Sequence, residues 1–239
     1  MGGYEVIETS PMFNVQGLTL PGFGVSRPPD PLDLRPETRN RFVLGLAGPS
    51  GSGKSAAAAL LAARGAKVLS GDVLGRLALE DPGLRERVRM EFGFNPSERE
   101  RLAKLVFNDE KALARLSQIT WPWIGNRARM VLERVPRGLI VFDAAVLLEA
   151  GWRGGVDRVI VLRSPQSLRF ERLRRTGLGE AQAEARIRAQ AAIGTLPGAD
   201  EVWANMGSLS ELDEDLDRYL LRSHAGAEAR RPEGRWSLA

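Results

Sequence analysis

The chain has 239 residues and no cysteine, which excludes disulfides, thiolate nucleophiles and zinc sites built on cysteine. The single histidine, His224, lies in a polar stretch near the C-terminus and is expected to be solvated, so Ser-His-Asp catalysis and multi-histidine metal sites within one chain are excluded too. A general base is therefore expected to be a carboxylate. No apolar run approaches the ~20 residues that span a membrane, and the N-terminus lacks a secretory pattern, so the sequence predicts a cytoplasmic protein.

The net charge is +4 and the isoelectric point about 9.9, and acidic and basic residues are interspersed along the chain. Such a balance suits a polyanionic small molecule. The sequence carries no zinc-finger, RNP or other nucleic-acid motif, so nucleic acid is not the expected partner. The oligomeric state is left open.

Residues 1–39 hold six of the fourteen prolines and no periodic apolar pattern, which predicts a disordered leader. From residue 40 to 222, short apolar runs that predict buried strands alternate with helical stretches. In chain order we expect a strand at 42–47, helix 55–64, strand 66–70, helix 73–80, helical pieces over 82–134 interrupted at Pro122, strands 139–142 and 159–162, helices 166–175 and 180–192, strand 201–204, helix 209–221 and a disordered tail at 223–239. This order predicts an α/β fold whose parallel sheet is covered by helices, with a helical insertion over 82–134.

The first predicted strand runs directly into a glycine-rich loop, which the first predicted helix follows. The loop reads Gly48, Pro49, Ser50, Gly51, Ser52, Gly53, Lys54, Ser55 and matches the P-loop pattern G-x-x-x-x-G-K-[ST]. Backbone N–H groups of such a loop, together with the helix N-terminus, bind phosphate oxygens. Lys54 is expected to reach the β- and γ-phosphates of a nucleotide and the Ser55 hydroxyl to ligate Mg²⁺. The alternative is a flexible Gly/Ser turn without a ligand.

Two aspartates follow predicted strands at the edge of the sheet where ligands bind in such folds. Asp143 ends the apolar run at 139–142, the usual setting of an acid that holds Mg²⁺ directly or through water. Asp72 ends the preceding strand, where a carboxylate could orient and deprotonate an acceptor hydroxyl. For each residue the alternative is a structural one: Asp143 could cap the next turn, and Asp72 could be the N-cap of the helix at 73–80.

The helix at 166–175 carries four arginines and precedes a Thr-Gly-Leu-Gly segment that is expected to be flexible. An arginine on a mobile segment can close over a transferring phosphoryl group and stabilise its charge. Arg175 is our candidate for this role, within a lid that spans about 172–192, and Arg169, Arg172 and Arg174 are weaker candidates. The alternative is a solvated basic helix face.

The order of these motifs resembles the dephospho-coenzyme A kinases, over about 42–220. The P-loop is followed by six further segments in the family's order, and their order is more specific than any one of them. They are Val68-Leu69-Ser70-Gly71-Asp72; Arg99, Leu102 and Val106-Phe107; Asp143 to Ala150; Asp157 to Val161; Arg186-Ile187-Arg188-Ala189-Gln190; and Ala199 to Val202 with Asn205-Met206-Gly207.

The resemblance implies a P-loop kinase fold with a helical substrate domain and an arginine-bearing lid. It implies transfer of the γ-phosphoryl group of ATP, with Mg²⁺, to the ribose 3′-hydroxyl of dephospho-CoA. By resemblance, Lys54 and Ser55 would handle ATP and Mg²⁺, Asp72 the acceptor hydroxyl and Arg175 the transition state. Asn205 is assigned to the nucleotide site on the same ground.

The chain departs from the family pattern at several positions. Ala47 replaces a hydroxyl residue beside the P-loop, Ser70 the first acid of Asp-Ala-Asp, and Trp121 the histidine of His-Pro. Ala145 also replaces a proline. Two alternatives therefore remain open beside a dephospho-CoA kinase: a related small-molecule kinase that acts on a nucleoside, and a non-catalytic nucleotide-binding paralogue.

Overall fold

The computed structural model describes residues 41–228 except 192, 194 and 196, so the predicted leader at 1–39 lies outside the described residues. The strands are β1 (Arg41–Ala47), β2 (Lys67–Ser70), β3 (Gly138–Asp143), β4 (Arg158–Arg163) and β5 (Glu201–Ala204). The helices are α1 (Lys54–Ala63), α2 (Gly71–Ala78), α3 (Pro82–Phe92), α4 (Arg99–Asn108), α5 (Glu110–Arg134), α6 (Gln166–Arg175), α7 (Glu180–Ala189) and α8 (Leu209–Glu228). A short 3₁₀ turn at Trp152–Gly155 precedes β4.

The five strands form one sheet in the order β2-β3-β1-β4-β5, and all neighbouring strands are parallel. Crossover helices that cover both faces bury such a sheet, which is why its central strands are continuous apolar runs. The register aligns Leu46 of β1 and Ser70 of β2 with Asp143 of β3. The loop after β1, the start of α2 and Asp143 therefore meet at one edge of the sheet. This α/β P-loop architecture confirms the predicted fold class.

The main core lies between the sheet and α5. Phe142, fully buried on β3, packs against Trp152 with ring centroids 5.8 Å apart. Trp152 in turn meets Trp121 of α5 edge-on at 6.4 Å. Aromatic pairs of this kind anchor α5 across the sheet, because each buries a large apolar surface and adds a favourable edge contact.

The prediction of a helix break at Pro122 is wrong, because α5 continues through it for 25 residues. A proline inside a helix removes one backbone hydrogen bond and costs about 3 kcal/mol. Here Pro122 is exposed, while Ile119 and Ile124 on the same helix are buried in the core. Burial of these side chains, each worth about 1.5–3 kcal/mol, outweighs the cost of the proline.

A smaller cluster joins α4 to the start of α5. Its buried members are Phe94, Leu102, Val106 and Ala112. A third cluster packs α6 against α7 through Leu173, Ala183 and Ile187. These two helix groups flank the edge of the sheet where the phosphate loop lies, and α4 and α7 contact each other there.

Residues from Gly207 onward form a separate compact unit. The α8 helix starts with a capping box, in which the Ser208 N–H donates to Glu211 Oε2 at 2.6 Å and the Glu211 N–H to Ser208 Oγ at 3.3 Å. The helix runs to Glu228, past the end predicted at 221 and into the segment predicted as a disordered tail. The α7 helix ends three residues before its predicted end. None of the helices described here is long and apolar enough to cross a membrane.

Candidate active site

The phosphate loop connects β1 to α1, and its last glycine is the N-cap of that helix. Gly53 has a left-handed backbone (φ +102°) and provides no side-chain cap, and the first turn of α1 contains no acidic residue. The N–H groups that begin a helix have no partner within it, so this end of α1 presents free donors and a positive dipole. An anion such as a phosphate group is the ligand that this arrangement favours.

Three charged side chains lie where the loop meets the strand ends. Lys54 is buried, and its ammonium donates a hydrogen bond to the Pro49 carbonyl oxygen at 3.2 Å. Burial lowers the pKa of Lys54 from its ordinary value, and the nearby charges of Asp143 and Asp72 act in the opposite direction. The loop thus holds its lysine beside two carboxylates.

Asp143, at the end of β3, accepts a hydrogen bond from the Ser55 hydroxyl at 3.2 Å. Burial raises the pKa of the Asp143 carboxyl, while the Lys54 charge and the Ser55 hydrogen bond lower it. A carboxylate and a hydroxyl oxygen side by side fit Mg²⁺, which takes one or two protein oxygens and completes its shell with water and phosphate oxygens. Among the described residues, no group of three or more acidic or histidine side chains is arranged so that it could hold a metal ion by itself.

Asp72 is not the N-cap of α2. That position belongs to Ser70, whose hydroxyl accepts the Val73 N–H at 3.3 Å. Asp72 lies in the first turn of the helix, where its side chain is exposed toward the same cavity as Lys54 and Asp143. The structural alternative for Asp72 is therefore wrong, and its carboxylate is available for chemistry.

A cavity of about 850 Å³ opens between the phosphate loop and the surrounding helices. Its loop side is lined by Ser50, Gly51, Gly53, Lys54 and Ser55, with Asp72 and Asp143 beside them. The lining also has an apolar part, which comes from Leu79, Leu102, Val106, Phe107 and Leu116. Four cationic side chains also line the cavity: Arg76, Arg99, Arg172 and Arg186. Part of the lining therefore suits phosphate, and part suits an apolar group.

Five of the predicted site residues do not line this cavity. Gly48, Pro49 and Ser52 belong to the loop but are buried and do not line the cavity. Asn205 is buried behind the loop, where its side-chain amide donates to the Ser52 carbonyl at 2.8 Å. Arg175 ends α6 with its side chain 78% exposed and 3.8 Å from the Glu171 carboxylate.

Three further residues line the cavity: Arg172, a weaker candidate, and Arg186 and Gln190, which have no predicted role of their own. Arg172 contacts the loop through a 3.2 Å hydrogen bond to the Gly51 carbonyl and donates to Ser164 Oγ at 2.9 Å. Arg186 of α7 and Gln190, which directly follows that helix, are four residues apart and both line the cavity. Their i, i+4 spacing in the sequence places them on one helix face and could have indicated this.

A parallel sheet with a phosphate loop after its first strand, an acid at the end of the neighbouring strand and helices around the cleft defines a P-loop phosphotransferase. Comparisons with known proteins identify the family within this class. The family model for dephospho-CoA kinase matches residues 42–211. The chain belongs to the dephospho-CoA kinase family.

Individual dephospho-CoA kinases, and one solved structure, are similar to most of this chain. The chain is 39% identical to the dephospho-CoA kinase of Frankia casuarinae over 202 residues, covering 79% of this chain and 88% of the relative. It is 38% identical to that of Thermobifida fusca over 195 residues, covering 74% and 97%. Among solved structures, TT1252 from Thermus thermophilus superposes with a TM-score of 0.60 at 31% identity, covering 77% of this chain and 98% of that one.

Proposed function

We propose that this chain transfers the γ-phosphoryl group of ATP to the ribose 3′-hydroxyl of dephospho-CoA, giving coenzyme A. As a member of a kinase family it uses ATP and a small-molecule acceptor. The observation that supports the proposal best is the meeting of Lys54, Ser55, Asp143 and Asp72 around one cavity that also has apolar lining residues. Mg²⁺ and a cytoplasmic location are part of the proposal.

The loop side would bind the nucleotide. Its N–H groups and Lys54 would hold the β- and γ-phosphates, and Ser55 with Asp143 would hold the Mg²⁺. The metal, when bound, supplies positive charge to the phosphate oxygens. Phosphoryl transfer needs positioning and charge neutralisation more than covalent catalysis, which explains how a chain without cysteine and with a single histidine can perform it.

Asp72 would act on the acceptor. Its carboxylate would accept the proton of the 3′-hydroxyl as that oxygen forms a bond to the γ-phosphorus and the bond to the β–γ bridging oxygen breaks, leaving ADP. The side chain is suited to this because Ser70, and not Asp72, caps α2. The carboxylate is thus not tied to the backbone N–H groups that a cap would occupy.

The helical side would bind the rest of the acceptor. Leu102, Val106 and Phe107 of α4 form a wall that suits the pantetheine arm, and Arg76 and Arg99 lie where they can attract a diphosphate. Arg99 already pairs with Glu80 at 2.8 Å, so it is held in place by an exposed ion pair. We propose these residues as the acceptor subsite.

Arg175 remains a prediction for the transition state. Its side chain is exposed at the end of α6 and does not line the cavity, so this role would require the side chain to move toward the phosphates. Arg172 and Arg186 already line the cavity and are candidates for the same task without that movement.

The test is a coupled ADP-release assay with ATP, Mg²⁺ and dephospho-CoA, run beside nucleosides and a no-acceptor control. Lys54→Ala should reduce kcat at least about 100-fold, because it removes a charge aimed at the phosphates. The matched control is Lys111→Ala, which removes an exposed lysine of α5 and should leave turnover unchanged. Near-normal turnover of the Lys54 variant would refute the P-loop mechanism.

Asp72→Asn should lower kcat by about 10²–10⁴-fold, the usual contribution of a general base, with the KM for ATP changed by less than about threefold. Asp215→Asn, at a half-exposed side chain of α8, is the control. An unchanged kcat would show that Asp72 is not the base. Turnover only with a nucleoside, or nucleotide binding without any turnover, would refute the proposed acceptor and the proposed catalysis, respectively.

A further inference from the structure

Arg169, on the first turns of α6, is a buried arginine behind the phosphate loop. Only 7% of it is exposed. Its Nε donates a hydrogen bond to the Ser50 carbonyl at 2.8 Å, and its Nη2 is buried without a hydrogen-bond partner. Over the described part of the chain, no carboxylate lies within ion-pair distance of this guanidinium.

A buried charge without an opposite charge is costly, because the surrounding protein replaces only part of the lost hydration. Burial lowers the pKa of Arg169, and no neighbouring charge offsets this effect. A guanidinium nevertheless remains protonated in proteins. Arg169 also lies near enough to Lys54 that its charge helps to lower the pKa of that lysine. Without a ligand, the positive charges of Arg169 and Lys54 therefore repel each other at this loop. A bound anion would offset both charges.

Contacts of Ser50 and Gly51 hold the phosphate loop against α6 beside Arg169. The Ser50 N–H donates to Gln190 Oε1 at 2.7 Å, so Ser50 is held through its carbonyl by α6 and through its N–H by the residue that ends α7. Gly51 lies so close to α6 that a Cβ there would be 2.7 Å from the Arg169 carbonyl oxygen. Loop carbonyls must point outward if the N–H groups are to point at phosphates, and Arg169 provides the partner for one of them.

We propose that Arg169 is a positioning residue for the nucleotide: it holds the Ser50 peptide in the phosphate-binding orientation, and its buried charge is compensated by the polyphosphate. This inference rests on the proposed function, since it takes the loop to be the nucleotide site. The side of α6 that faces the loop is thereby assigned to binding of ATP, the phosphoryl donor. A positioning residue of this kind stabilises the complex at the expense of the ligand-free protein.

The test measures binding of ADP and AMP by calorimetry, without acceptor, together with the melting temperature of the ligand-free protein. Arg169→Met removes the charge, Arg169→Gln keeps a neutral donor, and Arg169→Lys keeps the charge. The control is Arg188→Met, which removes an exposed arginine of α7 that pairs with Glu184.

For Arg169→Met we expect ADP affinity to fall about tenfold, the scale of one partly buried unit charge acting on phosphate. AMP affinity should change by less than about twofold, since AMP lacks the β-phosphate. The ligand-free melting temperature should rise or change by less than about 2 °C. Arg169→Lys should retain more ADP affinity than Arg169→Gln, and in turnover assays the KM for ATP should rise while the KM for dephospho-CoA stays constant.

Several results would overturn the inference. Unchanged ADP affinity, or equal losses for ADP and AMP, would show that Arg169 does not act through the polyphosphate. A Met variant that melts far lower or does not fold would show a structural role. If the unsubstituted protein itself failed to bind ADP, the proposed nucleotide site would fail with the inference, whereas normal binding with unaffected variants would refute the inference alone.

Discussion

Gly53→Ala is expected to destabilise the protein more than its small change in size indicates. Gly53 has φ +102°, and a Cβ at this position would lie 2.0 Å from Asn205 Nδ2. The left-handed backbone alone costs an alanine about 1–2 kcal/mol. Because Asn205 must also move, its buried hydrogen bond to the Ser52 carbonyl is lost, at a further cost of about 1–3 kcal/mol. We therefore expect a total of about 2–5 kcal/mol.

Gly65→Ala is the matched control. Gly65 also has a positive φ, +90°, but no atom lies within 4 Å of its Cβ position. Its substitution should cost only the backbone strain of about 1–2 kcal/mol. The free energy of unfolding of each variant is measured by urea titration without nucleotide, with the m-value checked for constancy.

Asn205→Ala separates the two contributions to the Gly53 variant. Alone it should cost about 1–3 kcal/mol, since it leaves a buried carbonyl without its donor. In the double variant Gly53→Ala/Asn205→Ala, the alanine at 53 no longer clashes with Asn205, and the hydrogen bond to the Ser52 carbonyl is lost only once. The cost of the double variant should therefore be about 1–3 kcal/mol smaller than the sum of the two single costs. Additive costs, or a Gly53 variant no less stable than the Gly65 variant, would refute the reasoning that Asn205 supports the loop.

Further predictions concern individual contacts. Ser70→Ala should cost about 1 kcal/mol through loss of the α2 cap, whereas Ser70→Asp should retain stability, both in urea unfolding. Burial raises the pKa of Asp200, but the Val159 N–H and two guanidinium groups outweigh it and hold that pKa below the ordinary 3.8. Asp200→Asn should therefore cost about 1 kcal/mol at pH 7, and the cost should disappear as the pH falls below 3.8 through the lowered pKa; a pH-independent cost would contradict this. Phe142→Ala should cost about 3–5 kcal/mol by calorimetry, and a cost below about 1 kcal/mol would show that its site collapses.

The fold could be predicted because parallel topology constrains it strongly. Once apolar strands alternate with helices, the carboxyl ends of the strands share one edge, so the P-loop, Asp72 and Asp143 are all expected at that edge. Helix α6 and strand β5 have the bounds that the pattern predicts. The continuity of α5 could not be predicted, since the residue pattern alone does not reveal how much core the helix around Pro122 buries.

The roles of side chains at the site were harder to infer, because they depend on docking between elements. Ser70 and Asp72 are both acceptable N-caps, and only the start of α2 decides between them. The motif around Asn205 indicates closeness to the loop, but the side chain contacts the outer, carbonyl side of the loop. Four arginines on α6 likewise give no indication of which ones face the loop until the packing of that helix is known.

The family-atypical residues have structural explanations that bear on the acceptor. Ala47 has no exposed surface and belongs to the main core, so a hydroxyl there would need a partner inside the protein. Ser70 is an N-cap, a position where serine and aspartate are nearly equivalent. The difference from the family pattern therefore concerns core packing at Ala47 and helix capping at Ser70. Asp72 still lines the cavity.

Trp121→His tests the same explanation at the third position. Trp121 packs against the core and against Trp152 and does not line the cavity, so histidine there would lose apolar contact without approaching the acceptor. We expect a loss of about 2 kcal/mol in the free energy of unfolding, and a KM for dephospho-CoA within about twofold of the unsubstituted protein. A lower KM, or a higher kcat, would instead show that a polar group at this position acts on the acceptor, and Trp121 would then mark a loss of function at the site.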